Sequence, residues 1–357
     1  MKEPSAILAI VLVMATNAMH AQRPAETSAG SVRKAMTGFV YDEIYLRHLA
    51  GDTGHPDRPE RLTAVQDGLK SKGLLKLLLP IQARKVSDDV LELVHDKDYL
   101  ALLRREAVDI AGLRMLSTGD TVISPDSLEA AYWAAGGVLS AVDAVMKGEV
   151  GNAFAAVRPP GHHATRNRGM GFCIFNNVAV AARYLQQAHG IARVLIVDWD
   201  YHHGNGTQDI FYDDPSIFYF STHDTSAYPG TGSSNETGSG PGAGATLNIP
   251  LPRGASDELI LEAFQQHLVP AARIFKPDFI LISAGFDAMR NDLLGEFDVT
   301  PAGFAALTRV VHDLAVELSH GRLVSVLEGG YRLDGLAASV AAHVEVLMEP
   351  ATSAQSH

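Results

Sequence analysis

The sequence predicts an α/β fold in which a mostly parallel β-sheet is covered by helices. Short apolar runs rich in β-branched and aromatic residues alternate along the chain with longer stretches of helical pattern. The runs are apolar at nearly every position instead of alternating with polar residues, which is typical of parallel strands buried on both faces. Such a sheet can exist in water only if helices pack over its faces.

The individual elements follow from these runs and from the residues that flank them. Strands are predicted at GFVY (38–41), AFAAV (153–157), VLIVD (194–198), IFYFS (217–221), TLNIPL (246–251), FILISAG (279–285) and LVSVLEG (323–329). Helices are predicted over residues 127–147, 176–189, 256–275 and 301–319. Gly190 is a natural C-cap, Ser256 and Thr300 are natural N-caps, and Gly321 follows the last of these helices.

The N-terminus departs from this pattern. Residues 1–21 combine Lys2, an apolar run and small residues at Ala18 and Ala21, which is typical of a secretory signal peptide and is too short for a membrane span. Residues 22–36 are small and polar and are interpreted as a linker. Residues 37–350 are then expected to form a single domain. We expect export to a bacterial periplasm, with an uncleaved anchor or a cytoplasmic protein as the alternatives.

Composition restricts the partners. The 357 residues include 41 acidic and 29 basic side chains, for a net charge of -12, which speaks against binding the phosphate backbone of nucleic acids. An acidic surface tolerates a cationic substrate, although it can equally serve only solubility. The single cysteine, Cys173, excludes an internal disulfide and a cysteine-based zinc site. Oligomeric state cannot be read from the sequence.

Polar, glycine-rich segments follow the predicted strands. AFAAV is followed by RPPGHHA, VLIV by DWDYHH, IFYF by STHD, FILIS by AGFDA and LVSVL by EGGY. Ligands of open α/β sheets bind outside the carboxyl ends of the strands. We therefore expect these segments to converge on one site.

A metal site is the first interpretation of this edge. Asp200 and His202 are spaced two residues apart on an extended segment, so their side chains point to the same side. A carboxylate and an imidazole suit a divalent metal such as zinc, and Asp287 is the best-placed third ligand. The alternative for an isolated Asp-x-His is an ion pair without metal, and the third carboxylate favours the metal.

General acid–base chemistry is predicted beside that metal. His162 and His163 follow a stiff Arg-Pro-Pro-Gly segment, and imidazole titrates near neutral pH. Each ring needs a partner on its second nitrogen, and Asp198 and Asn205 are expected to provide one apiece. His203 is assigned a structural hydrogen bond by default.

Aromatic residues complete the predicted site. Tyr331, on a glycine-rich turn, could donate to a developing oxyanion. Phe172 and Tyr228 lie on loops where they could line a channel, although packing would explain either of them alone. Asp120 is a candidate for the site rim. The glycine-rich loop at 230–245 lacks the order of a phosphate-binding loop and opens no helix, so we reject that function.

The ordered motifs together resemble the histone deacetylase / acetylpolyamine amidohydrolase family. They are RPPGHHA, GFCIFNN, DWDYHHGNGTQ, STH…YPGTG, SAGFDA and EGGY, with HPDRPERL (55–62) and DLLGEFDVTPAGF (292–304) in addition. The resemblance extends from about residue 38 to about residue 348. Asn205 is more similar to the class II branch than to class I, in which an Asp is usual at that position.

This resemblance implies an arginase-like three-layer α/β/α sandwich and a set of residue roles. It implies one zinc ion bound by Asp200, His202 and Asp287, with Tyr331 polarising the substrate carbonyl. It implies that His162 and His163 form a catalytic pair in which His163 is the general base and then the acid. The remaining implied residues are Gly171, Phe172 and Tyr228 in an acyl-lysine tunnel, and Asp198, Asp200, His202 and Ser221 at a structural potassium ion.

The expected function is zinc-dependent hydrolysis of acylated amines such as acetyl-lysine. An acetylpolyamine amidohydrolase is the alternative within the family. A ureohydrolase would need two metals and additional bridging Asp residues, which the motifs lack. A non-catalytic acyl- or polyamine-binding protein would be expected to have lost part of the His pair, the ligands or Tyr331, and all of these are present.

Overall fold

Eight strands form a central sheet in which every neighbouring pair is parallel. The computed structural model describes residues 36–350. In the order in which they lie across the sheet, the strands are β2 (Leu79–Ile81), β1 (Thr37–Val40), β5 (Asn152–Ala155), β10 (Leu323–Leu327), β9 (Phe279–Ala284), β6 (Val194–Asp198), β7 (Ile217–His223) and β8 (Thr246–Pro250). Two further strands, β3 (Arg114–Met115) and β4 (Val122–Ile123), form a separate antiparallel ribbon.

Helices cover the sheet. They are α1 (Glu60–Ser71), α2 (Asp88–Leu91), α3 (Lys97–Ala107), α4 (Ser127–Met146), α5 (Asn177–His189), α6 (Asn205–Phe211), α7 (Asp257–Ala263), α8 (Val269–Phe275), α9 (Pro301–Leu318) and α10 (Leu333–Leu347). Helix α10 packs between α1 and α9, whereas α4 packs on α5 and on β1 and β5. Every residue of β5, β6, β9 and β10 is buried, so both faces of the sheet are covered as the apolar runs predicted.

Each strand predicted from an apolar run is present, with ends that differ from the prediction by at most two residues. The predicted helix over 256–275 is divided by a π-helical turn at Phe264–Leu268 between α7 and α8. Gly190 caps α5 with a positive φ of 65°, and the Thr300 side chain accepts from the amide of Gly303 at the start of α9. Ser256 precedes α7, but its hydroxyl donates to Glu258 instead of capping the helix.

The predicted signal peptide at 1–21 lies outside the described residues, as does the predicted linker apart from Met36. Among the helices of the described part of the chain, none has the length and apolar character needed to cross a membrane.

Candidate metal centre and active site

The register of the sheet brings the predicted polar segments together. Asp198, the last residue of β6, lies beside Ser283 of β9 and Ser221 of β7. Because the strands are parallel, their carboxyl ends meet at one edge, and the segments that follow them surround one cavity.

Asp200, His202 and Asp287 converge at this edge. Their ligand-type atoms all lie within 4.8 Å of one another, and His202 Nδ1 is 2.9 Å from Asp287 Oδ2. None of the three residues is more than 8% exposed. Burial, and then repulsion from Asp200, raises the pKa of Asp287 above its usual range. A divalent cation would relieve that repulsion, and two carboxylates with one imidazole fit zinc.

Glycines allow these ligands to approach the backbone closely. A Cβ atom at Gly285 would lie 2.0 Å from Asp200 Oδ2, and one at Gly329 would lie 2.3 Å from Asp287 Oδ2. The Gly329 amide also donates to Asp200 Oδ2 at 2.9 Å, and the Tyr201 amide donates to Asp287 Oδ1 at 2.9 Å. Gly285 of SAGFDA and Gly329, the first glycine of EGGY, are thus required by the position of the carboxylates.

The two adjacent histidines lie beside the ligands. Their ring centres are 4.0 Å apart. His162 Nδ1 is 3.1 Å from Asp198 Oδ2, and His163 Nδ1 is 2.8 Å from Asn205 Oδ1. Asp198 is therefore the hydrogen-bond partner of His162 and Asn205 that of His163, and both residues were named as partners from the sequence. Asn205 itself begins helix α6, so the Gly-Asn-Gly segment is the start of a helix and not a loop.

The two rings have opposite protonation preferences. Although burial opposes it, the carboxylates of Asp198 and Asp200 raise the pKa of His162 to about 10. Burial, and then the neighbouring His162 and His202, holds the pKa of His163 well below 6.5. The surroundings of His162 therefore favour its protonated form, whereas those of His163 favour the neutral ring.

A cavity of about 380 Å³ opens from these groups to the surface. His163, His202 and Tyr331 lie among its lining residues. The Phe172 ring meets that of Tyr331 edge-on at 5.8 Å between centres, and the Tyr228 ring meets that of His163 at 5.0 Å. The remaining lining residues include Gly171, Asp120, Arg253, Leu294 and Glu296.

Asp120 joins two walls of this cavity. Its Oδ1 accepts from the Gly171 amide at 2.8 Å and from the Tyr228 hydroxyl at 3.3 Å. Asp120, the residue suggested from the sequence for the site rim, is exposed, and its carboxylate connects the loops that carry Phe172 and Tyr228.

Of the residues of the predicted potassium site, Asp198 and Ser221 are paired across β6 and β7, and Asp200 and His202 follow β6 along the chain. Asp198 Oδ2 accepts from the Tyr219 hydroxyl at 3.0 Å, and the Ser221 hydroxyl is 2.8 Å from His223 Nδ1. The potassium ion itself remains a prediction.

Sequence analysis missed Arg61 and Glu328. Arg61 is fully buried and donates to the carbonyls of Glu328 and Gly330, at 2.5 and 2.6 Å. Glu328 Oε2 accepts from the amides of Gly161 and His162, at 2.6 and 3.2 Å. Both residues occur in quoted motifs, but a buried charge far from its partners in sequence leaves no local pattern.

The fold and this site define an α/β protein in which three buried side chains able to ligate a metal ion meet at the carboxyl edge of a parallel sheet. Residues 55–347 match the family model described as "Histone deacetylase domain", and the chain belongs to that family. The family and the arginase/deacetylase-like α/β fold predicted from the motifs are both confirmed.

Relatives with curated names agree with this assignment. The chain is 42% identical over 305 residues to "Probable deacetylase" of Archaeoglobus fulgidus, covering 84% of this chain and 82% of that protein. It is 44% identical over 299 residues to "Polyamine deacetylase HDAC10" of Mus musculus, covering 81% and 44%. It spans 50% of "Histone deacetylase 5" and 56% of "Histone deacetylase 15", both of Arabidopsis thaliana.

A solved structure is similar throughout the described fold. The crystal structure titled "HDA15 HD domain" superposes with a TM-score of 0.83 at 41% identity, covering 88% of this chain and 90% of that one.

Proposed function

We propose that this protein is a zinc-dependent amidohydrolase that removes acetyl or related acyl groups from acylated amines such as acetyl-lysine. The observation that carries the proposal is the convergence of Asp200, His202 and Asp287 beside His163 and Tyr331 around one cavity. Family membership and the names of the relatives favour the same reaction.

Asp200, His202 and Asp287 would hold the zinc ion. Zinc bound there would polarise the acyl carbonyl and lower the pKa of a bound water toward neutrality. The amides of Tyr201 and Gly329 donate to the two carboxylates and so fix the orientation of these ligands.

His163 serves as the general base. Its Nδ1 is occupied by Asn205 Oδ1, which leaves Nε2 free to accept a proton. Burial lowers the pKa of the His163 ring and so favours its neutral form before reaction, and the adjacent imidazole of His162 acts in the same direction. As the water oxygen bonds to the carbonyl carbon, His163 takes the proton, and it delivers that proton to the amine nitrogen as the carbon–nitrogen bond breaks.

Tyr331 stabilises the charge that develops on the carbonyl oxygen. Burial, and then the carboxylate of Asp287, holds the pKa of Tyr331 well above 10, so its hydroxyl remains a proton donor. A donor fixed where an oxyanion forms contributes most to catalysis because it needs no reorganisation.

An acetylpolyamine is the second candidate substrate. The cavity lining includes the carboxylates of Asp120 and Glu296 with a single cation, Arg253, which is paired with Glu296 at 2.8 Å. A cationic amine suits that lining and the net charge of -12. The name of the mouse relative points the same way.

Two further proposals concern the surroundings of this activity. We propose a structural potassium ion at Asp198, Asp200, His202 and Ser221, which a higher thermal midpoint in potassium than in sodium buffer would test. We propose export with removal of residues 1–21, which the intact mass of the native protein would test. An unprocessed mass would contradict cleavage and leave an uncleaved anchor or a cytoplasmic protein.

The first test of function is acetate release by the zinc-loaded chain lacking residues 1–21. An acetyl-lysine peptide and N-acetylputrescine are the two substrates, and Asp287→Ala is the control. Peptide turnover that disappears in the control establishes a lysine deacetylase, whereas turnover of N-acetylputrescine alone establishes the polyamine alternative. No release from either, with zinc bound, would favour a different acyl group or the binding-protein alternative.

A further inference from the structure

His203 has no part in the chemistry above, although it follows the ligand His202 directly. It is 1% exposed and lies beneath the segment 225–237, here called the Tyr228 loop. Thr231, on this loop, has its hydroxyl 2.7 Å from His203 Nδ1. Because the Tyr228 loop places Ala227 and Tyr228 on the cavity wall, whatever fixes the loop also fixes that wall.

A chain of hydrogen bonds runs from His203 to the far side of the loop. Gln208 Nε2 donates to Glu236 Oε2 at 2.6 Å, so Gln208 Oε1 faces His203 Nε2, at 3.1 Å. His203 Nε2 must then carry the proton, which leaves Nδ1 to accept from the Thr231 hydroxyl. Each ring nitrogen has one partner, and the donors and acceptors are consistent along the whole chain.

Glu236 closes this network on the loop backbone. Its carboxylate accepts from the amide of Gly232 at 3.3 Å and from that of Ser233 at 3.2 Å. From below, His223 Nε2 is 2.8 Å from the Gly232 carbonyl. The loop backbone is therefore fixed by hydrogen bonds at the amides of Gly232 and Ser233 and at the carbonyl of Gly232.

Gly232 shows how tightly the loop lies on the two imidazoles. Its φ is +86°, and a Cβ there would lie 2.2 Å from His223 Nε2 and 2.7 Å from His203 Cδ2. The two rings are themselves 4.5 Å apart between centres. This position needs glycine both for its backbone angle and for the close approach.

We propose that His203, Gln208 and Glu236 form a clamp that positions the Tyr228 loop and thereby sets the acyl-chain selectivity of the cavity. These are positioning residues, since they act through Tyr228 and not on the reacting atoms. The selectivity part of this inference rests on the proposed function, whereas the clamp itself does not.

The test is Glu236→Gln, which keeps the size of the side chain but replaces one acceptor oxygen by a donor. Hydrogen–deuterium exchange of the peptide covering the Tyr228 loop is compared with steady-state kinetics on acetyl-lysine and butyryl-lysine peptides. Exchange at Gly232 and Ser233 is expected to rise about tenfold, because glutamine offers their amides one neutral acceptor oxygen in place of a charged carboxylate. We expect KM for the acetyl peptide to rise several-fold, kcat to change little, and the butyryl-to-acetyl ratio of kcat/KM to increase.

Ser234→Ala is the matched control, because Ser234 is exposed on the same loop. It is expected to match the parent chain in exchange and in kinetics. Unchanged exchange in folded Glu236→Gln would overturn the clamp. Raised exchange with an unchanged acyl ratio would overturn its role in selectivity. If the parent chain released no acyl group, the proposed function would fail, while the exchange result would still decide the clamp.

Discussion

The guanidinium of Arg61 lies over the ring of Tyr331, with its central carbon 4.9 Å from the ring centre. Hydrogen bonds from the same guanidinium to the carbonyls of Glu328 and Gly330 hold the turn that carries Tyr331. A third bond, to Asp57 at 2.6 Å, pairs the buried charge with a carboxylate that Arg158 shares at 2.9 Å. The turn that presents Tyr331 to the cavity is thus built around one buried cation.

Arg61→Lys is expected to reduce kcat by about tenfold or more while zinc content is unchanged. A lysine keeps the charge but cannot reach both carbonyls and stack on the ring, since it lacks the planar fork of donors. Leaving buried carbonyls without donors costs about 1–3 kcal/mol each. Steady-state kinetics measure kcat, metal analysis measures the zinc content, and the midpoint of urea unfolding measures the loss of stability. An unaltered kcat in a destabilised variant would show that Arg61 is purely structural.

Glu328→Gln and Glu328→Ala are expected to behave differently. In the glutamine variant one oxygen still accepts from Gly161 and His162, and the amide group can donate to Ser283, whose hydroxyl now lies 3.0 Å from Glu328 Oε1. Alanine leaves both buried amides unpaired and should lower the free energy of unfolding by about 2–5 kcal/mol. Equal stability of the two variants in urea would contradict this account.

The fold was predictable because its strands are buried on both faces. Continuous apolar runs such as VLIVD and FILIS can be recognised locally, and all of them are strands. The edge strand Leu79–Ile81 was missed because it is three residues long, contains Pro80 and is only partly buried. Helix α6 was missed because its first turn is Asn-Gly, a pair that ordinarily indicates a turn.

The site was predictable wherever a polar group directly follows a strand. Asp200, His202 and Asp287 meet because parallel strands end at one edge. Arg61 and Glu328 escaped prediction because the backbone groups that they bind lie more than 160 residues away in the sequence. Their positions depend on how helix α1 and strand β10 pack, which no local pattern records.

Asn205→Asp is expected to shift the acid limb of the kcat/KM profile to higher pH. A carboxylate on His163 Nδ1 favours the imidazolium and raises the pKa of a ring that burial now holds well below 6.5. Because His163 must be unprotonated to act as the general base, the variant reaches full activity only at a higher pH. Asn205→Leu, which removes the acceptor, should instead lose about 10- to 100-fold in activity. If the Asn205→Asp variant and the parent chain had identical pH profiles of kcat/KM, the contact between residue 205 and His163 would have no part in catalysis.

His343 makes stability depend on pH. Burial lowers its pKa to about 3, and its nitrogens lie 2.7 Å from the Thr308 hydroxyl and 2.9 Å from that of Ser325. Below the ordinary pKa of 6.5 the unfolded chain binds a proton there that the folded chain does not, so stability present above pH 6.5 is lost as the pH falls toward 3. His343→Gln should reduce the slope of unfolding free energy between pH 6 and 4 by about 1.4 kcal/mol per pH unit. Urea unfolding at several pH values measures it, and a parallel slope in the variant would refute the assignment.

Tyr331→Phe is expected to keep the fold and the metal but to lose about 10²–10³-fold in kcat. The ring of Tyr331 is 5% exposed and is packed between Arg61 and Phe172, so phenylalanine can fill the same space. What disappears is the hydroxyl, which the raised pKa keeps protonated and able to donate. Because a uniform binding contact would change KM instead of kcat, the two constants distinguish a transition-state donor from a wall of the cavity. Steady-state kinetics, with the zinc content measured in parallel, show which of the two constants changes. Unchanged turnover would remove Tyr331 from the mechanism and leave the metal ligands and His163 to account for catalysis.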